Sequence, residues 1–331
     1  MPLSALLFSD LLIYSDGSGR LKGTPGKDRQ LVPVPEDCAQ EIRAIALKLG
    51  GSFLGNSRTS EEGNREIPKV IRFEHEGVRY RVADIHDVKN GQNWFLRRLA
   101  DSVPNLETLG LPSYIIEWFL QEEHGLVLIS GAQDSGKTTT ASSLVARWLT
   151  LRGGHAVTFE CPAELPLDGD WGTFGHCYQT EILGESDLAP QIERAYRYAG
   201  PNILFIGEIK TRFAAVEALR AALGSSKQLV IATVFGLGIG AALERLINFA
   251  RELDGENALQ NLADSLLAVI HQNLIAEEDS RKLHIPEFLL LPFAERTKGT
   301  RAKIRKGEVH TLGDDITSLK NRIRCEGMAG I

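Results

Sequence analysis

The 331-residue sequence has four cysteines, Cys38, Cys161, Cys177 and Cys325, and none forms a C-x-x-C pair. That absence removes any zinc ribbon or dithiol redox motif readable from spacing. Cys161, His176 and Cys177 offer metal-ligand chemistry, but reduced thiols of a cytosolic protein are the simpler reading. Positive charge is short too, with 37 Lys plus Arg against 43 Asp plus Glu and a formal net charge of -6. Gripping nucleic acid through its phosphates needs a basic surface. The balance therefore argues against a sequence-independent binder, and no direct sequence-specific nucleic-acid binding is expected. Long apolar runs are missing: the stretch Leu229 to Leu243 is broken by Thr233 and three glycines and is too short to span a bilayer. Met1 to Tyr14 carries Asp10 and no basic n-region, so it does not read as a signal peptide. The expectation is a cytoplasmic chain without a transmembrane segment, reaching any membrane through a partner. What is abundant is glycine, 32 residues against 13 Pro and 2 Met.

Residues 1–108 read as a smaller, more polar module. Val70 to Glu74 and Val78 to Val82 alternate with the strand period, and Glu41 to Leu49 reads as a short helix. Gly51 to Glu66 has loop composition, Ala100 to Asn105 has linker composition, and a helix is predicted from Pro112 to Glu123. From His124 onward, short apolar strands alternate with helical segments, which is the signature of a parallel α/β sheet. The predicted strands are Leu126–Ile129, Ala156–Phe159, Ile203–Ile206 and Leu229–Val234. Between them run helices over Thr138–Leu151 and Phe213–Leu223, the second ended by Gly224. Residues 109–331 thus form the larger domain, with a helical tail from about residue 275.

Gly131-Ala132-Gln133-Asp134-Ser135-Gly136-Lys137-Thr138 matches the P-loop pattern in full, between a predicted strand and a predicted helix. Its glycines let backbone N–H groups turn inward around phosphates, and the following helix points its positive end at the same anion. Thr139 continues this run into the helix. Lys137 is expected to reach the β- and γ-phosphates of a bound nucleotide, and the Thr138 hydroxyl to ligate Mg²⁺. Asp134 is an acid inside an anion-binding loop, which is compatible only if its side chain points to solvent. A buried strand running into Gly207-Glu208 places a carboxylate at the same sheet edge, where Glu208 can hold the metal or orient water. Glu160, after the strand Ala156–Phe159, is a second acid for that edge.

In these residues the sequence resembles the type II/type IV secretion ATPase superfamily, nearest its pilus-retraction and conjugative type IV secretion branch. The resemblance rests on Gly125 to Gly131 leading into the P-loop, on Thr158 to Glu164 at the family's acidic box, and on Gly207-Glu208-Ile209-Lys210 at its Walker B motif. Asp264 to Gln272 resembles the helix after the family's His box. The resemblance implies a PAS-like α+β N-terminal domain, a RecA-like P-loop ATPase domain and a homo-hexameric ring. It also implies ATP and Mg²⁺ as ligands, with Lys137, Glu208 and Glu160 catalytic. Such a ring works on an inner-membrane platform protein, so this chain would be peripheral to that membrane. In that scheme Arg81 and Arg97 contact phosphates with guanidinium forks.

The departures carry their own expectations. Gln228 and Phe235 stand where the family has histidines, Cys161 follows Glu160 in the acidic box, and Lys210-Thr211 replaces an Arg-Asp pair. A histidine coupling the γ-phosphate to domain motion is therefore expected to be missing, with only the Thr233 hydroxyl nearby. Two readings stay open: an ATP-hydrolysing motor, or a nucleotide-binding paralogue that serves as an assembly or regulatory subunit. A small-molecule kinase on the same scaffold leaves the N-terminal module unexplained. Lys298, Arg301, Lys303, Arg305 and Lys306 form a basic stretch, read either as a solvated helix face or as a contact for a platform protein or anionic lipid.

Overall fold

The computed structural model describes residues 2–26, 30–55, 58–59, 65–66, 70–89, 91–182, 185–276 and 281–331. Its contacts divide the chain into two units, Met1–Ser102 with Cys161–Pro166, and Val103–Glu160 with Leu167–Ile331.

The first unit follows from period-two alternation. Its strands are β1 (Asp10–Ile13), β2 (Gly19–Lys22) and β3 (Val32–Pro33), then helix α1 (Ala39–Gly55), short strands β4 (Arg58–Thr59) and β5 (Arg65–Glu66), and β6 (Val70–His75), β7 (Val78–His86) and β8 (Gln92–Arg98). An antiparallel sheet of order β3-β2-β1-β8-β7-β6 results. Val78, Tyr80 and Val82 are buried on β7 while Arg79 and Arg81 between them are not, so one face is apolar and the other basic. Leu11, Leu21, Ile71 and Leu96 share a core with Ile42, Ile45 and Leu49 of α1, which lie on one helical stripe. Glu41 ties that helix down: its carboxylate accepts from the Leu3 N–H at 2.9 Å and sits 3.0 Å from His75 Nε2. The helix runs further than the sequence suggests. Gly51, expected in a loop, and Gly50, just past the expected helix, are both helical because the stripe before them outweighs the roughly 1 kcal/mol that each glycine costs. Ser52 to Gly55 continue the helix, and the remainder of the expected 51–66 loop lies outside the described residues, apart from the β4–β5 pair.

The second unit holds α2 (Ser113–Gln121), β9 (Gly125–Gly131), α3 (Lys137–Arg152), β10 (Gly154–Glu160), β11 (Gly169–Trp171), β12 (Gly175–Glu181), α4 (Glu185–Arg194), β13 (Ile203–Ile206) and α5 (Arg212–Leu223). It continues with β14 (Leu229–Phe235), α6 (Ile239–Asp254), α7 (Asn257–Ser265), β15 (Leu266–Ala276), β16 (Arg281–Leu290), α8 (Lys298–Arg305) and α9 (Gly313–Glu326). The sheet order is β11-β12-β10-β13-β14-β9-β15-β16, parallel except for its two edge strands. Every residue of β9 is buried, as in a parallel strand covered on both faces.

Two expectations change here. The stretch Asp264 to Gln272 is not a helix: α7 stops at Ser265, and Leu266 onward is strand, paired with β9 on one side and β16 on the other. A continuous apolar run gives the same hydropathy in either state, and the open flank of β9 decides it. The tail likewise begins as strand and becomes helical only from Lys298. Nor is its basic stretch a free patch. Arg301 is buried, donates to the Ala263 and Leu291 carbonyls and stacks over Phe293, and burial lowers its pKa to about 10. Lys303 pairs with Asp315 and Arg305 with Asp264, each at 2.6 Å. No helix among the described residues is long and apolar enough to cross a membrane.

Candidate functional site

The carboxyl edge of the larger sheet carries the P-loop residues, Glu160 and Glu208. β9 ends at Gly131, the chain curls through Ala132–Gly136, and α3 starts at Lys137. Two positions in the curl have positive φ: Asp134 at 58° and Gly136 at 81°. Left-handed backbone at both is what turns successive N–H groups to the inside. Gly131 admits no side chain, because a Cβ there would lie 2.3 Å from Ser135 Oγ and 2.5 Å from the Gln272 carbonyl. The Asp134 side chain is exposed, as a loop for anions requires. Lys137 is buried, with Nζ 2.7 Å from the Ala132 carbonyl across the loop. Ser135 Oγ is buried with no hydrogen-bond partner, a polar group held ready inside the curl. Ala132, Thr138 and Thr139 are half-buried and Gln133 is exposed.

The acids come from the strands beyond β14. Glu160 ends β10 and is 2% exposed, its Oε1 accepting from Thr158 Oγ1 at 2.9 Å and from Gln179 Nε2 at 2.8 Å. Gly207 packs against it, and a Cβ there would sit 3.2 Å from Glu160 Cγ. Glu208, next in the chain, is 32% exposed and pairs with Lys210 at 3.1 Å. Thr233, expected to offer its hydroxyl to a ligand, instead donates it to the Gly207 carbonyl, and its own carbonyl accepts from the Ile209 N–H at 2.9 Å. It thus shapes the turn that carries Glu208.

Arg81 and Arg97 belong to the first unit, directly opposite each other on β7 and β8. Arg81 pairs with Glu164 at 2.5 Å, and Arg97 with Asp10 at 2.9 Å. Cys161, His176 and Cys177 do not form a metal cluster among the described residues. His176 and Cys177 are neighbours on β12 and face opposite ways; His176 pairs with Asp170 at 2.5 Å, and burial pushes the Cys177 thiol up to about 12.

Comparison with known proteins decides the family. Residues 63–309 match the family described as type II/IV secretion system protein. The chain belongs to this family. Type IV pilus ATPase PilU of Pseudomonas aeruginosa is 28% identical over 243 residues, 71% of this chain and 58% of the relative. Protein YggR of Escherichia coli, described as uncharacterized, is 30% identical over 229 residues, 68% of this chain and 65% of the relative. The chain therefore spans less than two thirds of the length of either relative. The pilus retraction motor PilT with bound ADP superposes with a TM-score of 0.70 at 22% identity, covering 98% of this chain and 88% of that one. The ATPase DotB of Legionella pneumophila superposes at 0.69, with 20% identity and 93% and 85% covered. These likenesses establish the fold, a RecA-like α/β core with a smaller N-terminal α+β domain.

In this secretion-family chain, the two positions expected to replace the family's histidines lie at opposite edges of the sheet. Phe235 ends β14 directly opposite Gly131, whereas Gln228 precedes the strand, beside the start of β9. A strand of that length separates them by about 23 Å at 3.3 Å per residue. Of the two, only Phe235 lies at the edge that carries residues 131–138. Sequence reasoning missed three residues that do lie there: Ser130, His271 and Gln272. Gln272 Nε2 donates to the Ser135 carbonyl at 2.7 Å, and Ser130 Oγ lies 3.0 Å from His271 Nδ1. Reading Leu266–Ala276 as strand would have aligned His271 with Ser130 by register.

Proposed function

We propose that this chain binds and hydrolyses ATP as a motor subunit of a type IV pilus or type II/IV secretion machine, conjugative machines included. The observation that carries the reading is the shared edge: a complete P-loop, its lysine, and two carboxylates, Glu160 at the end of β10 and Glu208 just past the end of β13. The cradle fits phosphate, since Gly131 leaves room for backbone N–H groups, Ser135 Oγ awaits a partner and α3 directs its positive end there. Thr138 and Glu208 would hold Mg²⁺, which supplies charge neutralisation on the phosphate oxygens. Lys137 leaves the Ala132 carbonyl for the β- and γ-phosphates. Glu208 releases Lys210, holds the attacking water and takes its proton as the bond to the γ-phosphorus forms and the β–γ bridge breaks. Glu160, fixed by Thr158 and Gln179, holds the edge in place through Gly207.

The same reading makes the chain a homo-hexamer in the cytoplasm, acting on an inner-membrane platform protein and coupling hydrolysis to domain rotation. Arg81 and Arg97 then exchange Glu164 and Asp10 for the phosphates of a neighbouring subunit's nucleotide. A second reading, a nucleotide-binding subunit with little turnover, is favoured by the Glu208–Lys210 pair and by Phe235 at the phosphate edge. Phosphate release from Mg·ATP separates the two. The motor reading expects turnover that Lys137→Ala and EDTA abolish and that Glu208→Gln greatly slows. Wild type no faster than Lys137→Ala contradicts it, and nucleotide binding without turnover supports the second reading.

A further inference from the structure

The parallel strands on either side of β9 bring different residues to its carboxyl end. β14 brings Phe235 opposite Gly131, at a position where the secretion-ATPase pattern has a histidine, and β15 brings His271 opposite Ser130. The imidazole is buried, 4% exposed, with Nδ1 3.0 Å from Ser130 Oγ, the residue just ahead of the phosphate loop. Across β15 its register partner is Glu287 on β16. Glu287 Oε2 accepts from the Ile239 N–H at 2.9 Å and so caps α6, the helix that follows β14 through Gly236-Leu237-Gly238. A Cβ on Gly238 would also meet Glu287 Oε2 at 3.4 Å. Ser130, His271, Glu287 and the start of α6 thus join the phosphate loop to the segment where the family's second histidine has become Phe235.

We infer that His271 is a positioning residue that reads the state of the phosphate site from the β15 flank and passes it, through Glu287, to the start of α6. Three groups act on the ring: Ser130 from β9 is its hydrogen-bond partner, Glu287 from β16 its anion, and Lys137 from α3 its cation. Burial is the main cause holding the imidazole below its ordinary pKa; Lys137 lowers it further and Glu287 opposes both. That direction favours the neutral ring at neutral pH. Phosphates that neutralise Lys137 remove one of the two lowering causes, so the ring becomes more basic and takes up a proton in the range below pH 6.5. Proton uptake on binding means that nucleotide affinity rises as pH falls through that range. The ammonium of the loop is thereby reported to a group that does not touch the nucleotide. A buried histidine too far from the loop to feel the charge on Lys137 would titrate alike with and without nucleotide.

The inference rests on the nucleotide reading above, and its test uses binding as well as hydrolysis. The ring signals of ¹³C-histidine-labelled protein, assigned by loss in His271→Asn, are titrated from pH 5 to pH 8 with and without ADP. The midpoint for His271 is expected to move up with ADP. Binding of a fluorescent ADP analogue, compared between wild type and His271→Asn, is expected to show a pH dependence in wild type that the variant lacks, about threefold to tenfold across this range. If wild type hydrolyses ATP, His271→Asn lowers kcat by roughly tenfold with KM within about threefold, the split expected of a positioning residue. Should His271→Asn fail to fold, Ser130→Ala and the wild-type titration carry the test. An unmoved midpoint with ADP bound, or a variant whose binding follows the wild-type pH profile, overturns the inference. Absence of hydrolysis in wild type with the midpoint still moving refutes only the motor reading.

Discussion

β14 and β15 run parallel to β9 on either side of it; β14 ends at the loop that follows β9, and β15 passes beside it and runs on to Ala276. One finishes in Phe235, an aromatic ring at the edge; the other carries a buried imidazole hydrogen-bonded to Ser130. The sequence pattern had marked β14 as the place where a chemical group was lost. The sequence does not mark β15, because Asp264 to Gln272 resembles a helix of the family. The difference teaches that a chemical role at this site belongs to a position on the sheet edge, and that two strands offer such a position. It also divides the two departures from the histidine pattern. A change at Gln228, at the far edge, bears on packing around the start of β9, whereas Phe235 lies beside Gly131, where the proposed function puts the phosphates.

Four substitutions break or sharpen that comparison. Lys137→Ala has the largest effect, since both flanks serve the same loop: phosphate release falls about a thousandfold or more when the cation is gone. Glu208→Gln, on the far side of β14, lowers turnover about a hundredfold while nucleotide still binds, as expected when a proton acceptor is removed. Phe235→His returns an imidazole to the β14 flank, and kcat changes by less than about threefold if β15 already supplies the coupling. A rise of tenfold or more would show that the β14 position is where coupling was lost. Thr233→Val is the smallest change. It removes the hydroxyl donor to the Gly207 carbonyl and costs about 1–2 kcal/mol in urea unfolding, with nucleotide affinity unchanged. A loss of affinity without a loss of stability would return Thr233 to the ligand.

The phosphate loop was legible because its requirements are local. A backbone curl, a helix start and a lysine at fixed spacing depend on about eight consecutive residues, and the structure assembles them as that spacing implies. Strands β9, β10, β13 and β14 were legible for a similar reason, being short apolar runs between glycine-containing turns. The rest depended on distant partners. Leu266 to Gln272 becomes strand because β9 has an open flank, which no window around residue 270 contains. The basic stretch 298–306 looked like a surface because charge is usually solvated, yet Arg301 is drawn inside by two carbonyls and a ring. Thr233 looked like a free hydroxyl because its acceptor, Gly207, lies 26 residues earlier.

The central claim is that phosphates occupy the curl between β9 and α3 and that Lys137 meets them there. Equilibrium titration of a fluorescent ADP analogue into wild type and Lys137→Ala, with folding of both verified by thermal unfolding, tests it most directly. Saturable binding by wild type that weakens at least about tenfold, or 1.4 kcal/mol, in the variant is the predicted result. Equal affinity in two equally folded proteins would contradict it.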